Sequence, residues 1–511
     1  MASTPNSDFP TSTSISEAST IDAPSSVHLL VLAHGMWGNP GHLAEMERIA
    51  RETFTSSDSK GKDELRVLIA AANREEGTYD GIDWCAERVV EEAIHRIQND
   101  EHKHVCKFSI TGYSFGGLVS RYVVGILAQR GLFSSDPSSG SKADTSEGIS
   151  MIPMNFNTFA TPHLGLPRYS TFFSALSHKL GPKLLSRTGE QFYLQDKWSK
   201  NDRPLIDVMS DPSHIFYQAL TQFKQLRIFA NAVNDRTVPY VTAAIEEEDP
   251  FLEEDRIDVE FDPKYNPLIV SYSKAPKHRK KSTPQPSKTL IPLPPFLVKP
   301  FPFNILIYLS LPLLIPLAFS IAFIKFSRAT TRSRARIRAL EETSGSRSLL
   351  GALGALEWKL ERGFDNAVAE AINDPGTTTT ARSSPSPQDT TPLTSGSSTP
   401  AYTSSSSKPL SLDPESKSKS RDAPTFTPLQ RTICVRLNSL PGLKKEIAFI
   451  DIIDPASFAT KTNEAGKSGK PQKPQKVRNS HATIVSRDVK SFEFHRIGEG
   501  VLRCWAEGLV V

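Results

Sequence analysis

Near-continuous apolar segments of strand length alternate with amphipathic helical segments in the first half of this chain. His28–Ala33 and Leu65–Ala71 are two such strands, and apolar residues recur at helical spacing in His42–Phe54 and from Ile82 to Ile97. A strand without a polar face is buried on both sides, which is typical of a parallel sheet covered by helices. The sequence therefore predicts an α/β fold with a mostly parallel sheet and helices on both faces.

The same alternation continues along the chain. A short strand is predicted at Phe108–Thr111, and a helix at Gly117–Gln129 directly after it. Further strands predicted from short apolar runs are Asn155–Phe159, Leu226–Ala230, Thr432–Leu437, Ile447–Ile453 and Ala482–Val485.

Two segments of different composition interrupt this pattern. Residues 263–340 form a basic and hydrophobic insertion with 14 Lys and Arg and no acidic residue. Residues 374–428 consist mainly of Ser, Thr and Pro, cannot bury enough apolar area to offset chain entropy, and are predicted to be disordered. We therefore expect one large domain with a long interruption. The remaining boundaries are a disordered tail (1–26), the main body (27–262), a helical linker (341–373) and the C-terminal part of the body (429–511).

Composition excludes several classes of protein. Four widely spaced Cys without a C-x-x-C pair argue against a zinc finger, an iron–sulfur cluster or a disulfide framework. The net charge is +4, but the basic residues flank an apolar run, which favours an anionic membrane surface over nucleic acid as the partner. Residues 1–26 contain no Lys or Arg and do not have the pattern of a signal or transit peptide, so we expect the soluble part in the cytosol.

The pentapeptide Gly112–Gly116 has the form G-x-S-x-G and lies between a predicted strand and a predicted helix. This context predicts a tight strand-to-helix turn that exposes Ser114 as a nucleophile. Gly112 and Gly116 are needed there because only glycine lets the backbone and the helix approach so closely. A structural glycine-rich turn is the alternative interpretation.

An ester hydrolase also needs N–H donors for the negatively charged oxygen of its tetrahedral intermediate. One donor is predicted to be the backbone N–H of Phe115, directly after the nucleophile. The second is predicted to be the N–H of Met36, beside Gly35 in the loop after the first strand. That loop can also be a simple glycine-rich turn. His34 is predicted to be structural, since the general base of such a site follows the serine along the chain.

The acidic residue should follow a late strand. Asp235 lies in the loop after the predicted strand Leu226–Ala230, where its carboxylate can orient an imidazole. An ordinary turn aspartate is the alternative interpretation. The competing residues Asp202, Asp207 and Asp211 do not follow an apolar run.

Three histidines follow Asp235. His278 lies in the basic run KAPKHRKK and is expected to be a solvated linker residue. His481 lies in a polar loop before a short apolar run and is predicted to be the general base. His495, in what we expect to be the terminal helix, is the alternative, as is a base that is missing or not catalytic.

Five motifs occur in order along the chain: AHGMWGN, ITGYSFGGLVSRYV, FNTFATPHLG, NAVNDRTVPY and NSHATIV. Together they resemble the fungal serine esterases of the α/β-hydrolase superfamily, a group that includes lipid-droplet phospholipases. The resemblance covers both body segments and implies Ser114 as nucleophile, Asp235 as acid and His481 as base. It also implies that His163, in the third motif, is structural and shapes the wall beside the nucleophile. No metal or organic cofactor is implied.

The apolar run 291–324 is the second informative feature. Its part Phe301–Ile324 has 24 residues without a charge, enough to cross a hydrocarbon core about 30 Å thick. Basic clusters on both sides favour the cytosolic side for both ends, and a single span would separate Asp235 from His481. We therefore predict a proline-bent hairpin or an in-plane anchor on a membrane or lipid-droplet surface; a buried core helix is the alternative. The prolines that suggest the bend are Pro300, Pro302, Pro312 and Pro316.

These features predict a membrane-attached serine ester hydrolase of glycerolipids, with phospholipids as the preferred substrate. The basic flanks would concentrate anionic phospholipid near the site. The catalytic domain is expected in the cytosol, on lipid droplets or the endoplasmic reticulum. The alternatives are a neutral-lipid lipase, a protein or acyl thioesterase, or a non-catalytic tethering protein with a hydrolase fold.

Overall fold

A six-stranded sheet forms the centre of the molecule, with strand order β2-β1-β3-β4-β5-β8 and every neighbouring pair parallel. This confirms the predicted α/β fold class with a parallel sheet. The strands are β1 (Ser26–Ala33), β2 (Glu64–Ile69), β3 (His104–Tyr113), β4 (Ile152–Phe159), β5 (Gln225–Asn231) and β8 (Leu443–Ala448). Two antiparallel pairs lie outside this sheet: β6 (Ile257–Phe261) with β7 (Ile269–Lys274), and β9 (Ile452–Ile453) with β10 (Gln475–Lys476).

The computed structural model describes residues 26–56, 64–99, 104–134, 149–199, 201–253, 257–274, 303–344, 423–453 and 475–510. The predicted disordered tail, most of the predicted linker and nearly all of the Ser/Thr/Pro-rich insertion lie outside these residues. The helices are α1 (Ala44–Ser56), α2 (Ile82–Gln98), α3 (Phe115–Gln129), α4 (Phe172–Leu184), α5 (Ser186–Phe192), α6 (Leu205–Val208), α7 (Ile215–Thr221), α8 (Tyr240–Ala243), α9 (Phe303–Ser344), α10 (Pro428–Asn438) and α11 (Glu499–Glu507).

Helices cover both faces of the sheet, as its apolar strands require. Buried residues of α2, α3, α7 and α10 share one apolar cluster with alternate residues of the strands. Buried residues of α1 and α11 share the other, with the opposite face of β1. Within β1, for example, Leu29 and Val31 belong to the first cluster and Leu30 and Leu32 to the second. The two faces of one strand therefore pack into two different apolar clusters, one on each side of the sheet.

The predicted strand Thr432–Leu437 is wrong, because these residues lie within helix α10. Its β-branched residues suggested a strand, but the helix is fixed at its start by a capping box between Thr427 and Gln430. The predicted strand Ala482–Val485 is also wrong, since Thr483–Val485 forms a short 3-10 helix. The predicted strand Ile447–Ile453 is split between β8 and β9.

From Phe303 onward the apolar segment lies in one continuous helix, α9, whose 42 residues span about 63 Å. A hairpin that reverses the chain at Pro312 or Pro316 is therefore wrong, since both residues lie inside this helix. Each proline removes one N–H donor from the helix, but the helical hydrogen bonds before and after it continue. Leu309–Glu342 is long and apolar enough to cross a membrane, and its most apolar part is not buried in the protein. Pro300 and Pro302 lie outside the described residues.

The end of the chain belongs to the same core as its beginning. The indole of Trp505 in α11 is fully buried, lies edge-on to Phe159 of β4, and donates a hydrogen bond from Nε1 to Thr111 Oγ1 of β3 at 3.2 Å. Strand β8 likewise pairs with β5 across the two interruptions of the sequence. The body is therefore assembled from both halves of the chain.

Replacing this indole tests that assembly. We expect Trp505→Ala to lower the free energy of unfolding by about 3–5 kcal/mol, because it leaves a cavity between α11 and the sheet. The exposed Val435 is the control, and Val435→Ala should change stability by less than about 0.5 kcal/mol. Chemical denaturation of both variants measures the difference, and equal midpoints would contradict a shared core.

Candidate active site

The sheet has a reversal of strand order beside β1. From β1 the chain first adds β2 on one side, and then crosses to add β3, β4 and β5 on the other. In an open α/β sheet the carboxyl ends of the strands at such a reversal form a crevice, because the connecting helices diverge to opposite faces. The loop after β1 and the turn after β3 meet there, which places Gly35 against Ser114.

Ser114 occupies a strained turn between β3 and α3. Its φ of 55° and ψ of −124° lie in a region that residues with side chains rarely adopt. A Cβ added to Gly112 would lie 2.4 Å from the Gly116 carbonyl oxygen, and one added to Gly116 would lie 2.2 Å from that of Ala33. Close backbone approach therefore leaves no room for a side chain at either end of the motif.

The predicted oxyanion donors lie at this same edge of the sheet. Phe115 is the first residue of α3, so its N–H is one of the donors that no helical carbonyl satisfies. Met36 lies in the loop that covers the nucleophile, where a Cβ on Gly35 would lie 2.9 Å from Ser114 Cβ. The helix dipole adds partial positive charge at the start of α3. The edge can therefore stabilise a negative charge next to Ser114.

His34 is buried in the same loop, and its Nδ1 donates to the Gly35 carbonyl oxygen at 3.0 Å. Burial lowers the pKa of His34, so the ring is held neutral. Its Nδ1 also lies 2.6 Å from where a Cβ on Gly38 would be. The side chain packs inside the loop that it stabilises.

The structure brings Ser114, His481 and Asp235 together. The hydroxyl of Ser114 lies 3.0 Å from His481 Nε2, and His481 Nδ1 lies 2.9 Å from Asp235 Oδ2. Because the carboxylate only accepts, Nδ1 carries the proton and Nε2 is free to accept from the serine hydroxyl. This geometry is that of a nucleophile, its base and the group that orients the base.

Hydrogen bonds hold the Asp235 carboxylate in place. Oδ1 accepts from the N–H groups of Thr237 at 3.0 Å and Val238 at 2.8 Å, and Oδ2 accepts from Asn231 Nδ2 at 2.9 Å. The carboxylate is almost fully buried. Since its lone pairs are satisfied, it keeps one orientation toward His481.

The His481 loop is tied to the loop that carries the acid. Ser480 donates through its N–H to the Asn234 carbonyl oxygen and through its hydroxyl to that of Val233. The Tyr113 hydroxyl donates to the His481 carbonyl oxygen at 3.0 Å, and the two rings lie 5.1 Å apart. Sequence reasoning gave no role to these supporting residues or to Asn231, although Asn231, Tyr113 and Ser480 each lie inside one of the five motifs.

The competing candidates lie elsewhere. Asp202 pairs with Lys197, whereas Asp207 and Asp211 pair with Arg203 and Arg436. His495 lies in a 3-10 helix, Glu493–Gly498, that precedes the terminal helix, and contacts the Arg487 carbonyl. His278 lies outside the described residues.

His163 is fully buried beside the sheet. Its Nε2 lies 2.9 Å from Thr158 Oγ1, and burial lowers its pKa. The Arg121 guanidinium donates to its carbonyl oxygen from α3. These contacts fit the structural role that the resemblance implies. Within the described ranges, no group of three or more His, Cys, Asp or Glu side chains is arranged to hold a metal ion.

Two curated relatives are named as putative lipases. One, from Schizosaccharomyces pombe, is 31% identical over 225 residues, which is 43% of this chain and 26% of that protein. The other, ROG1 of Saccharomyces cerevisiae, is 24% identical over 218 residues, which is 43% of this chain and 28% of that protein. The matched part of the chain thus spans less than a third of the length of either relative.

Solved structures give weaker likenesses. The lin2722 gene product of Listeria innocua is 15% identical with a TM-score of 0.24, over 42% of this chain and 76% of its own. The phospholipase PlaB of Legionella pneumophila is 13% identical with a TM-score of 0.22, over 42% of this chain and 40% of its own. At these TM-scores neither likeness carries an argument.

The family comparison matches residues 23–245, whose family is described as "Putative serine esterase (DUF676)". These residues contain Ser114, Asp235 and the loop with Met36, and they end well before His481. The contact of His481 with the serine and the acid is therefore a finding of the structure alone. Residues 23–245 of this chain are thus similar to that serine esterase family, which confirms the predicted resemblance for the four motifs that lie within them.

Proposed function

We propose that this protein is a membrane-attached serine hydrolase that cleaves acyl esters of glycerolipids, with phospholipids as the preferred substrate. The observation that carries the proposal is the continuous hydrogen-bonded series from Ser114 through His481 to Asp235, at 3.0 and 2.9 Å. The serine lies on a strained turn next to two predicted oxyanion donors.

The geometry supports a two-step acyl transfer. Ser114 Oγ attacks the acyl carbonyl carbon while His481 Nε2 takes its proton, and the oxyanion forms beside the N–H groups of Phe115 and Met36. Asp235 stabilises the imidazolium, which then gives its proton to the leaving alcohol oxygen. A water molecule, deprotonated by His481, then attacks the acyl carbonyl carbon, and His481 returns the proton to Ser114 Oγ as the bond between Oγ and the acyl carbon breaks and the fatty acid leaves.

The position of α9 supports a lipid substrate. Its residues 309–325 are largely exposed. The ring centroid of the next residue, Phe326, lies 6.2 Å from that of Trp37 in the loop after β1, which contains Gly35 and Met36 and which we call the oxyanion loop. The apolar part of α9 therefore begins at the rim of the proposed site. Helix α4, which contacts α9, exposes Phe172 and Phe173 almost completely. The names of the curated relatives, putative lipases, agree with such a substrate.

The connections of α9 support attachment from one side of a membrane. Strand β7 ends on the body at Lys274, and α9 contacts the body again from Phe326 onward. A chain that leaves the body and returns to it must leave a bilayer on the side where it entered. We propose that the apolar segment enters the cytosolic leaflet or a lipid-droplet monolayer. Lys325, Arg328 and Arg332 lie where anionic headgroups would meet the helix.

Replacing the nucleophile tests the reaction and the substrate together. We expect Ser114→Ala to lower fatty-acid release from phospholipid vesicles by at least 10³-fold, since the remaining donors give only residual catalysis. The exposed Ser213 is the control, and Ser213→Ala should retain wild-type turnover. Parallel assays with triacylglycerol emulsions and acyl thioesters separate a phospholipase from a neutral-lipid lipase or a thioesterase. Equal turnover by wild type and Ser114→Ala would refute the mechanism, and no turnover on any substrate would favour a tethering protein.

Charged residues in the apolar helix test membrane attachment. We expect the triple variant Leu313→Asp, Leu317→Asp and Ile321→Asp to lose co-flotation with anionic phospholipid vesicles, because each carboxylate costs about 2.5–3.5 kcal/mol at the bilayer centre. The matched control places the same charges on exposed apolar residues of the body, by Val270→Asp, Val435→Asp and Phe492→Asp. Wild type and control should float even at high salt. A triple α9 variant that floats equally well would contradict the anchor.

A further inference from the structure

Trp37, directly after the predicted oxyanion donor Met36, has a strained backbone. Its φ of 53° is unusual for a bulky residue, and half of its side chain is exposed. Such a conformation persists only when surrounding contacts fix it. What holds Trp37 therefore also restrains its neighbour Met36, the predicted donor in the same loop.

The contacts that fix Trp37 come from the 3-10 helix Glu75–Tyr79. The N–H of Trp37 donates to Thr78 Oγ1 at 3.1 Å, and its indole Nε1 donates to the Tyr79 hydroxyl at 3.0 Å. The Gly38 carbonyl oxygen accepts from the N–H of Glu75 at 3.0 Å. This 3-10 helix therefore supports the oxyanion loop through three hydrogen bonds.

Helix α9 in turn holds this 3-10 helix in place. Asp80, directly after the 3-10 helix, is fully buried and accepts from Ser333 Oγ at 2.6 Å and from Arg336 Nη2 at 2.8 Å. Arg336 also donates to the Glu76 carbonyl oxygen at 2.9 Å. The hydrogen bonds with Asp80 raise the pKa of Arg336, so the guanidinium stays charged. A buried carboxylate needs such partners, since without them its desolvation is not compensated.

The body-facing side of α9 forms a single stripe. Phe326 lies against Trp37, Thr330 Oγ1 donates to the Leu184 carbonyl oxygen, and Ser333 is fully buried. Ala329 and Ile337 are buried on the same side. Spacings of three and four residues place these side chains on one face of the helix. The C-terminal half of α9 is therefore packed as part of the body, while its apolar half extends beyond it.

The geometry points to a second role for α9: through Phe326, Ser333 and Arg336 it positions the oxyanion loop, so that the membrane helix sustains catalysis as well as attachment. This inference rests on the proposed esterase function. The three side chains are positioning residues, since they act on the reacting atoms only through Trp37, Asp80 and the Glu76 carbonyl group. A helix drawn away from the body would leave the triad intact and loosen one oxyanion donor.

Steady-state kinetics of the full-length protein with a short-chain p-nitrophenyl ester test this role, because that substrate needs no membrane. We expect Phe326→Ala and Arg336→Gln each to lower kcat by roughly 5- to 100-fold, less than loss of a whole oxyanion donor. KM should stay within about twofold, since the donor acts mainly in the transition state. Arg336→Lys should recover part of kcat, because it keeps the charge beside Asp80. Tyr79→Phe removes the hydroxyl that accepts from the Trp37 indole, and it should lower kcat by a smaller factor.

Matched controls are Arg431→Gln and Phe492→Ala, at exposed positions of the body. Wild-type kcat in these variants, with a reduced kcat in the α9 variants, supports the role. Equal kcat in all variants overturns it while leaving the esterase proposal intact. An inactive wild type overturns the esterase proposal instead.

Hydrogen exchange gives a second test that does not depend on turnover. In Arg336→Gln we expect the amides of residues 35–38 to exchange at least tenfold faster than in wild type, with the amides of β3 and β4 unchanged. Faster exchange throughout the sheet would show general destabilisation and would overturn the specific role. Unchanged exchange at residues 35–38 would overturn it as well.

Discussion

The close approach between the Ser114 turn and the end of β1 is the contact on which the proposed site depends. Gly116 lies so near the carbonyl oxygens of Ala33 and His34 that a methyl group would overlap with them. This contact fixes the start of α3 under the loop after β1, and so brings nucleophile and oxyanion donors to one edge. The approach is possible because β1 and β3 are neighbours in register, with Ala33 opposite Gly112. The acid and the histidine then reach the serine from the end of β5 and from the last part of the chain.

Sequence patterns predicted those parts of the molecule that obey local rules. Buried parallel strands have a near-continuous apolar sequence, so β1, β3 and β5 could be recognised, and Ser114 and Asp235 were found from their places after strands. The loop with Gly35 and Met36 was recognised by the same argument, because it directly follows the apolar strand β1. His481 was chosen by elimination among three histidines. No apolar strand precedes its loop, so position alone did not identify it. Hydrogen bonds of Ser480 with Val233 and Asn234 hold the His481 side chain close to the carboxylate of Asp235 in space.

Other parts depended on contacts that no local pattern encodes. Helix α10 contains Thr432, Ile433 and Val435, which favour strands, but its capping box and buried face decide its structure. The contact of Trp37 with Phe326 joins residues almost 300 positions apart. The sequence analysis placed Arg336 only in the basic part of the insertion and gave Ser333 no role, because a sequence does not show which polar side chains contact a buried carboxylate such as that of Asp80.

The order of the parts along the chain has a consequence for synthesis. The proposed nucleophile and acid emerge first, the apolar helix follows, and the strand β8 and His481 come last. About 150 residues separate Lys325 from His481, which at about 5–20 residues per second corresponds to roughly 8–30 s of translation. During that interval the serine has no base, whereas the hydrophobic segment is already available to a membrane. Under the proposed function, a newly made chain would therefore become able to hydrolyse esters only after its apolar helix has had time to meet a membrane.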